Sequence, residues 1–224
     1  MLVDARPGRS GRADVITRVF LVRHGATPLT ADDRFAGSSD VPLGPEGEIQ
    51  VERLADRLAA APLAAVYSSP LRRTVTTARV VGAPHGLMPV LADDLREIDH
   101  GRWEGLRRDE VQRMFPEEYA AWEIDPVHVA PQGGEDGEHV LARALPVMNN
   151  IIRRHAGQSV LVVAHKATNR LLIAHWLGFD LRSYRDRIEQ LPACLNLLDF
   201  KSPDQPRLVL LNDVSHYDLA GVHA

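Results

Sequence analysis

Two unbroken apolar runs, RVFLVR (18–23) and SVLVVA (159–164), each stop at a histidine. A run this short, apolar on both alternate positions between its polar ends, reads as a strand buried on both faces, delivering its last residues to a polar turn. Such strands need helices above and below them. The rest of the chain supplies the pattern: Val51, Leu54, Ala55 and Leu58 recur at helical spacing within 46–60, and AAVYSS (64–69) reads as a second strand. A helix is predicted to start near Pro70, since proline suits a first helical position, and a third strand to lie at 87–92. Residues 136–155 form a long amphipathic helix on a stripe of Val140, Ala144, Val147, Met148 and Ile151, with a kink expected at Pro146. A further amphipathic helix is predicted from about Thr168 to Leu177. The last two runs, CLNLLDF and RLVLLND, read as a hairpin around a turn containing Ser-Pro-Asp. Alternating strands and helices imply an α/β three-layer sandwich with helices on both faces. Residues 1–17 read as a polar, disordered leader and 18–224 as one domain. Within it, 101–135 is punctuated by Trp103, Phe115, Pro116, Trp122, Pro126 and Pro131 and reads as an insertion of short helices over one edge.

Composition narrows the function. The net charge of −4 supplies no positive field for nucleic acid or an anionic membrane, and no apolar stretch reaches the length of a membrane span. The leader has no apolar signal core, so a cytoplasmic setting is expected. The lone Cys194 excludes an intrachain disulfide and reads as a small buried hydrophobe. The usual marks of phosphate chemistry are missing: there is no G-x-x-x-x-G-K-[ST] loop and no D-x-D-x-T pair. Phe200 stands where a cysteine phosphatase needs its arginine, six residues after Cys194. Neither H-E-x-x-H nor another metal-ligand spacing occurs, so neither metal nor cofactor is expected.

What remains is LVRHG (21–25) and VVAHK (162–166). Sites in open α/β sheets gather beyond the C-terminal ends of strands, so His24 and His165 can share one crevice. Arg23 precedes the first, and the second precedes a helix whose free N–H groups are expected to favour an anion. SSPLRRTVTTA (68–78) places Arg73 at the head of a helix, and LREIDHGRWEG (95–105) places Glu97 in a turn region. Outside a motif, Arg73 would read as a surface helix charge and Glu97 as a solvated turn residue.

Taken together, these four motifs, with GSSDVPLGPEG (37–47), PQGGE (131–135) and LNDVSH (211–216), resemble the histidine phosphatase superfamily, also called phosphoglycerate mutase-like. The resemblance runs over about residues 18–216. It implies a mainly parallel central sheet with helices on both faces and a small helical insertion, 101–135, covering the active site. His24 corresponds to the phosphorylated histidine, Arg23 and Arg73 to the phosphate-clamping arginines, His165 to the second pocket histidine and Glu97 to the acid/base. Two guanidiniums can neutralise a phosphoryl dianion without a metal, a protonated His165 would add a third cation, and one carboxyl can serve both proton transfers in turn.

The sequence departs from the family pattern at Thr30, where many members have Asn; at Ala36, commonly Gln; and at Lys166-Ala167, usually Gly-Gly. Thr30 is expected to donate to substrate, and Lys166 either pairs with a substrate carboxylate or points to solvent. His100 is a candidate for lining the site; it and Trp103 read equally as structural. Asp93 and Asp94 read as solvated. The chain is therefore expected to be a metal-independent phosphomonoesterase acting on a small phosphorylated metabolite, in the branch resembling metal-independent phosphoserine phosphatase or alpha-ribazole phosphatase. The alternatives are a phosphoglycerate mutase, disfavoured by R-E-I-D-H-G-R-W where the mutases carry N-E-x-x-Y-G-like sequence, and a non-catalytic phospholigand-binding module. Since the terminal hairpin leaves an edge strand, a homodimer is expected.

Overall fold

The computed structural model describes residues 15–32 and 34–218. Its centre is a six-stranded sheet built from β1 (Thr17–Arg23), β2 (Leu63–Ser68), β3 (Val90–Leu91), β4 (Ser159–Ala164), β5 (Leu195–Phe200) and β6 (Pro206–Asp213). Their order across the sheet is β3, β2, β4, β1, β5, β6. The first four run parallel, and β5 and β6 form the predicted antiparallel hairpin. Most of the predicted leader lies outside the described residues; its last residue, Thr17, is instead buried as the first residue of β1. The third strand is only two residues long, paired to Tyr67 and Ser68.

Alternation along the strands builds two cores. Val19 and Leu21 of β1, with Val160, Val162 and Ala164 of β4, face α6 (Gly137–Arg154) and α7 (Lys166–Leu177). Phe20, Val22, Leu161 and Val163 face α2 (Pro45–Leu58) and α3 (Arg72–Gly82). This is the three-layer α/β sandwich the periodicity implies. The long helix α6 runs through Pro146 as one element and is capped by the Asp136 carboxylate, which accepts from His139 N.

Helix α7 differs from its prediction. It begins at Lys166, and it is buried nearly all round: Thr168 to Ala174 and Trp176 are all shielded, so it has no continuous solvent-exposed polar face. It lies between the sheet and the segment that carries the short helix α8 (Tyr184–Arg187). Residues 101–135 carry α4 (Arg108–Met114) and α5 (Pro116–Ile124) around a third cluster of Trp103, Val111, Tyr119 and Trp122.

Candidate active site

Register brings the two histidines together. Arg23 pairs with Ala164 across adjacent parallel strands, so the next residues, His24 and His165, leave the sheet side by side. Their rings meet edge to face with centroids 5.2 Å apart. Close packing holds the turn after β1: a Cβ on Gly25 would stand 2.6 Å from the Gly47 carbonyl oxygen, a separation only glycine avoids.

His24 is nearly fully buried. Its Nδ1 lies 2.8 Å from the Gly25 carbonyl oxygen; a carbonyl only accepts, so Nδ1 carries the proton and Nε2 the lone pair. Arg73 Nε donates to that Nε2 at 3.3 Å. Burial above all, then the charges of Arg73 and Arg23, holds the ring well below its ordinary value of 6.5, although the Gly25 carbonyl pulls the other way. The ring is a neutral imidazole with its Nε2 pair directed at cationic neighbours.

Arg73, the second residue of α3, is fully buried and donates from Nη1 to Ser39 O at 2.6 Å and from Nη2 to Gly37 O at 2.8 Å. The 37–39 loop is itself pinned by Glu104, whose carboxylate accepts from Ser38 N, Ser38 Oγ and Ser39 Oγ. Arg23 donates from Nη1 to Gln190 O at 2.7 Å, and its buried Nε has no acceptor among the described residues.

His165 Nε2 is 2.8 Å from Ser69 Oγ, while its buried Nδ1 has no described partner. A charge on His165 is disfavoured in the free protein. Burial, then Arg73, His24 and Arg23, pushes this imidazole well below 6.5 as well, because three cationic or basic groups already crowd it.

Glu97 supplies an anion at the start of α7, where one was expected. The free N–H groups at the start of α7 are not left for a phosphoryl group: Glu97 Oε2 accepts from Ala167 N at 3.2 Å, and Oε1 from Thr168 N and Thr168 Oγ1, each at 3.2 Å. Ile98 N adds a further donor to Oε1 at 3.1 Å. A carboxylate here satisfies donors that the helix cannot pair internally. It also places Glu97 on the wall of the same pocket as His24, Arg23 and Arg73.

That pocket encloses about 170 Å³. Thr30, Ala36, Lys166 and His100 all line it, as does Ala167. Thr30 Oγ1 shares a hydrogen bond with Thr27 Oγ1 at 3.0 Å. Lys166 is half-buried. His100 packs edge-on against Phe35 at 4.7 Å, with no partner for Nδ1 among the described residues and its basicity lowered by burial. Trp103 is wholly inside the aromatic cluster and structural, Cys194 is buried, and Asp93 and Asp94 are exposed.

The outer wall of the pocket carries no sequence motif. Arg34, Arg108, Arg170 and Arg185 line it, together with Phe35, Trp122 and Tyr184. Arg185 stacks on Trp122 at 3.7 Å. One signal was available: Arg170 lies four residues after Lys166, hence on the same helix face.

The comparisons agree with this geometry. Residues 19–214 match the model of the histidine phosphatase superfamily, branch 1. Phosphoserine phosphatase 1 of Hydrogenobacter thermophilus is 34% identical over 169 residues, covering 75% of this chain and 80% of its own. The bifunctional protein of Mycobacterium tuberculosis is 34% identical over 214 residues, where this chain spans 94% of itself but 57% of that protein. Among solved structures, Bacillus stearothermophilus YhfR superposes with a TM-score of 0.83 at 32% identity, covering 89% of this chain and 98% of that one. The chain belongs to branch 1 of the histidine phosphatase superfamily, and with it to the phosphoric monoester hydrolases.

Proposed function

We propose that this chain hydrolyses a small phosphorylated metabolite through a phosphohistidine on His24 Nε2, without a metal. The observation that carries the reading is the locked, neutral His24 ring, with Nδ1 engaged by Gly25 and Nε2 beside Arg73. In the first step Nε2 attacks phosphorus while Arg23 and Arg73 neutralise the equatorial oxygens, Arg73 releasing Nε2 as the phosphoryl group takes over its Nε–H. Glu97, a carboxylate in the free protein, takes up a proton from solvent as the anionic phosphomonoester binds beside it, and gives that proton to the leaving alkoxide. In the second step Glu97 takes a proton from water, which attacks the phosphohistidine, and inorganic phosphate leaves with His24 restored. The unpartnered Nδ1 of His165 and Nε of Arg23 are buried polar atoms that phosphoryl oxygens would satisfy.

Metal independence is supported by the two buried guanidiniums. Among the described residues, no three His, Cys, Asp or Glu side chains gather as a metal-binding group. The pocket's volume of about 170 Å³ supports a compact substrate, since pockets for drug-sized ligands span about 300–1,000 Å³. We read 101–135 as the insertion that covers the site, because Arg108 and Trp122 line the pocket. We place the enzyme in the cytoplasm, consistent with an unpaired, buried Cys194; no described helix is long and apolar enough to cross a membrane.

The test is His24→Ala, which should abolish phosphate release. Brief incubation of the unaltered protein with labelled substrate should trap label that is acid-labile and alkali-stable, as a phosphoramidate is. Turnover persisting in the variant would overturn the assignment, and phosphate passed to a second metabolite instead of water would favour the mutase.

A further inference from the structure

Two arginines suffice for a phosphomonoester dianion, yet the pocket is lined by seven cationic side chains and, among described residues, by one carboxylate, Glu97. Several of the surplus cations are tied to carboxylates behind the wall: Arg34 to Glu110, and Arg108 and Arg185 to Glu123. Arg185, whose Nε likewise has no acceptor among the described residues, also donates to the Trp122 and Glu123 carbonyls; among the described residues Arg170 has no such backbone acceptor. The Arg170 side chain is 10% exposed, its Nε has no acceptor among the described residues, and its salt bridge is a 3.2 Å contact from Nη2 to Glu189, a side chain 57% exposed. A buried guanidinium leaning on a solvated carboxylate leaves charge to be satisfied from the pocket side.

We propose that the substrate carries a second anionic group, and that Lys166 and Arg170, one turn apart on α7, receive it at a subsite that Glu189 holds in the free protein. The inference rests on the hydrolase reading above and adds the substrate's chemical class: a phosphomonoester with a second oxyanion, carboxylate or phosphoryl, a few bonds from the first. The small cavity sets the short skeleton. Arg185, flat on Trp122, and Tyr184 close the same wall. Glu189 already behaves as a resident anion. Burial pushes its carboxyl up, but Gln190 N–H and the charges of Arg170, Lys166 and Arg23 outweigh that and hold it below the ordinary carboxylate value. Gln190 N donates to its Oε1 at 2.8 Å. An incoming anion competes with Glu189 for Arg170, so the two residues have opposite effects on binding.

The experiment compares kcat/KM on matched pairs: 3-phosphoglycerate against glycerol 3-phosphate for a carboxylate, and fructose 1,6-bisphosphate against fructose 6-phosphate for a second phosphoryl group. The unaltered enzyme should prefer the more anionic member of one pair by about tenfold or more, the worth of one charge-assisted fork. Whichever pair responds identifies the anion. Arg170→Gln should reduce that ratio to within about threefold, and Glu189→Gln should raise it, chiefly through KM. Glu189 is exposed, so its variant carries the test if Arg170→Gln does not fold. Equal rates within both pairs, with p-nitrophenyl phosphate still hydrolysed, would overturn the second-anion inference alone. So would a Glu189→Gln variant whose ratio is unchanged or lower. Failure to release phosphate from any of these compounds would take the hydrolase reading down with it.

Discussion

Lowering the pH from 7 to 5 should destabilise this protein in a way that traces to His24 and His165. Both rings are held neutral in the fold, well below the ordinary imidazole value of 6.5. Above pH 6.5 the folded and unfolded chains carry the same neutral rings. Below it only the unfolded chain takes up the protons, so stability is lost as pH falls. A ring that titrates at 6.5 when unfolded and stays neutral when folded costs about 2 kcal/mol at pH 5. Two such rings cost about 4 kcal/mol, a large share of the 5–15 kcal/mol typical of a domain. His100 and His216 are shifted the same way and add to the loss, while the exposed His128 and His139, raised by Asp125 and Asp136, act against it. The clean quantity is therefore a difference. Urea unfolding at pH 7, 6 and 5 should show the unaltered protein losing more stability across that range than the His24→Asn, His165→Asn double variant, which lacks both rings, with a ceiling of about 4 kcal/mol. Parallel losses in the two proteins would mean that the rings are solvated or protonated in the fold, and the argument for a neutral nucleophile would fail with them.

Glu97→Gln should lower kcat by about 10²- to 10⁴-fold while leaving a folded protein, whereas Glu97→Ala should also cost about 1–3 kcal/mol in thermal or urea melts by stranding the buried Thr168 N–H and its neighbours. A wild-type rate in the glutamine variant would remove Glu97 from proton transfer. Dialysis against a chelator should leave phosphate release unchanged, and a strict requirement for added metal would refute the two-guanidinium clamp. β6 exposes Val209 and Leu211 along the sheet edge, so light scattering at micromolar concentration should give twice the chain mass of 24.8 kDa; a value near one chain would rule out the homodimer.

Much of the fold was legible because its signals are local. β1 and β4 are unbroken apolar runs, and α6 has a regular stripe and an Asp136 cap. The start of α7 was not legible, since its N-cap is His165, which makes no side-chain cap bond. The capping group is Glu97, about seventy residues earlier, and no local pattern announces it. The missing polar face has a similar cause: a helix packed on several sides has no amphipathic period to read. In the site, the motif residues Arg23, His24, Arg73, Glu97 and His165 do converge, because strand ends and register decide where they emerge. The outer arginines come from separate elements at spacings with no pattern, so only the pair Lys166 and Arg170 left a trace in the sequence.

The strand order has a consequence for how the molecule is made. β1 and β2 are neighbours in the chain but not in the sheet, because β4 lies between them. A chain emerging from the ribosome thus holds two apolar strands that cannot yet pair with their final partner. The two pocket histidines also cannot meet until residue 165 has been added. Contacts of such long sequence separation slow folding and prolong the exposure of strand edges. Insertion of β4 is therefore the step that both closes the core and assembles the reactive pocket, so catalytic competence should appear together with cooperative stability during refolding. A truncated chain ending before β4 should show neither.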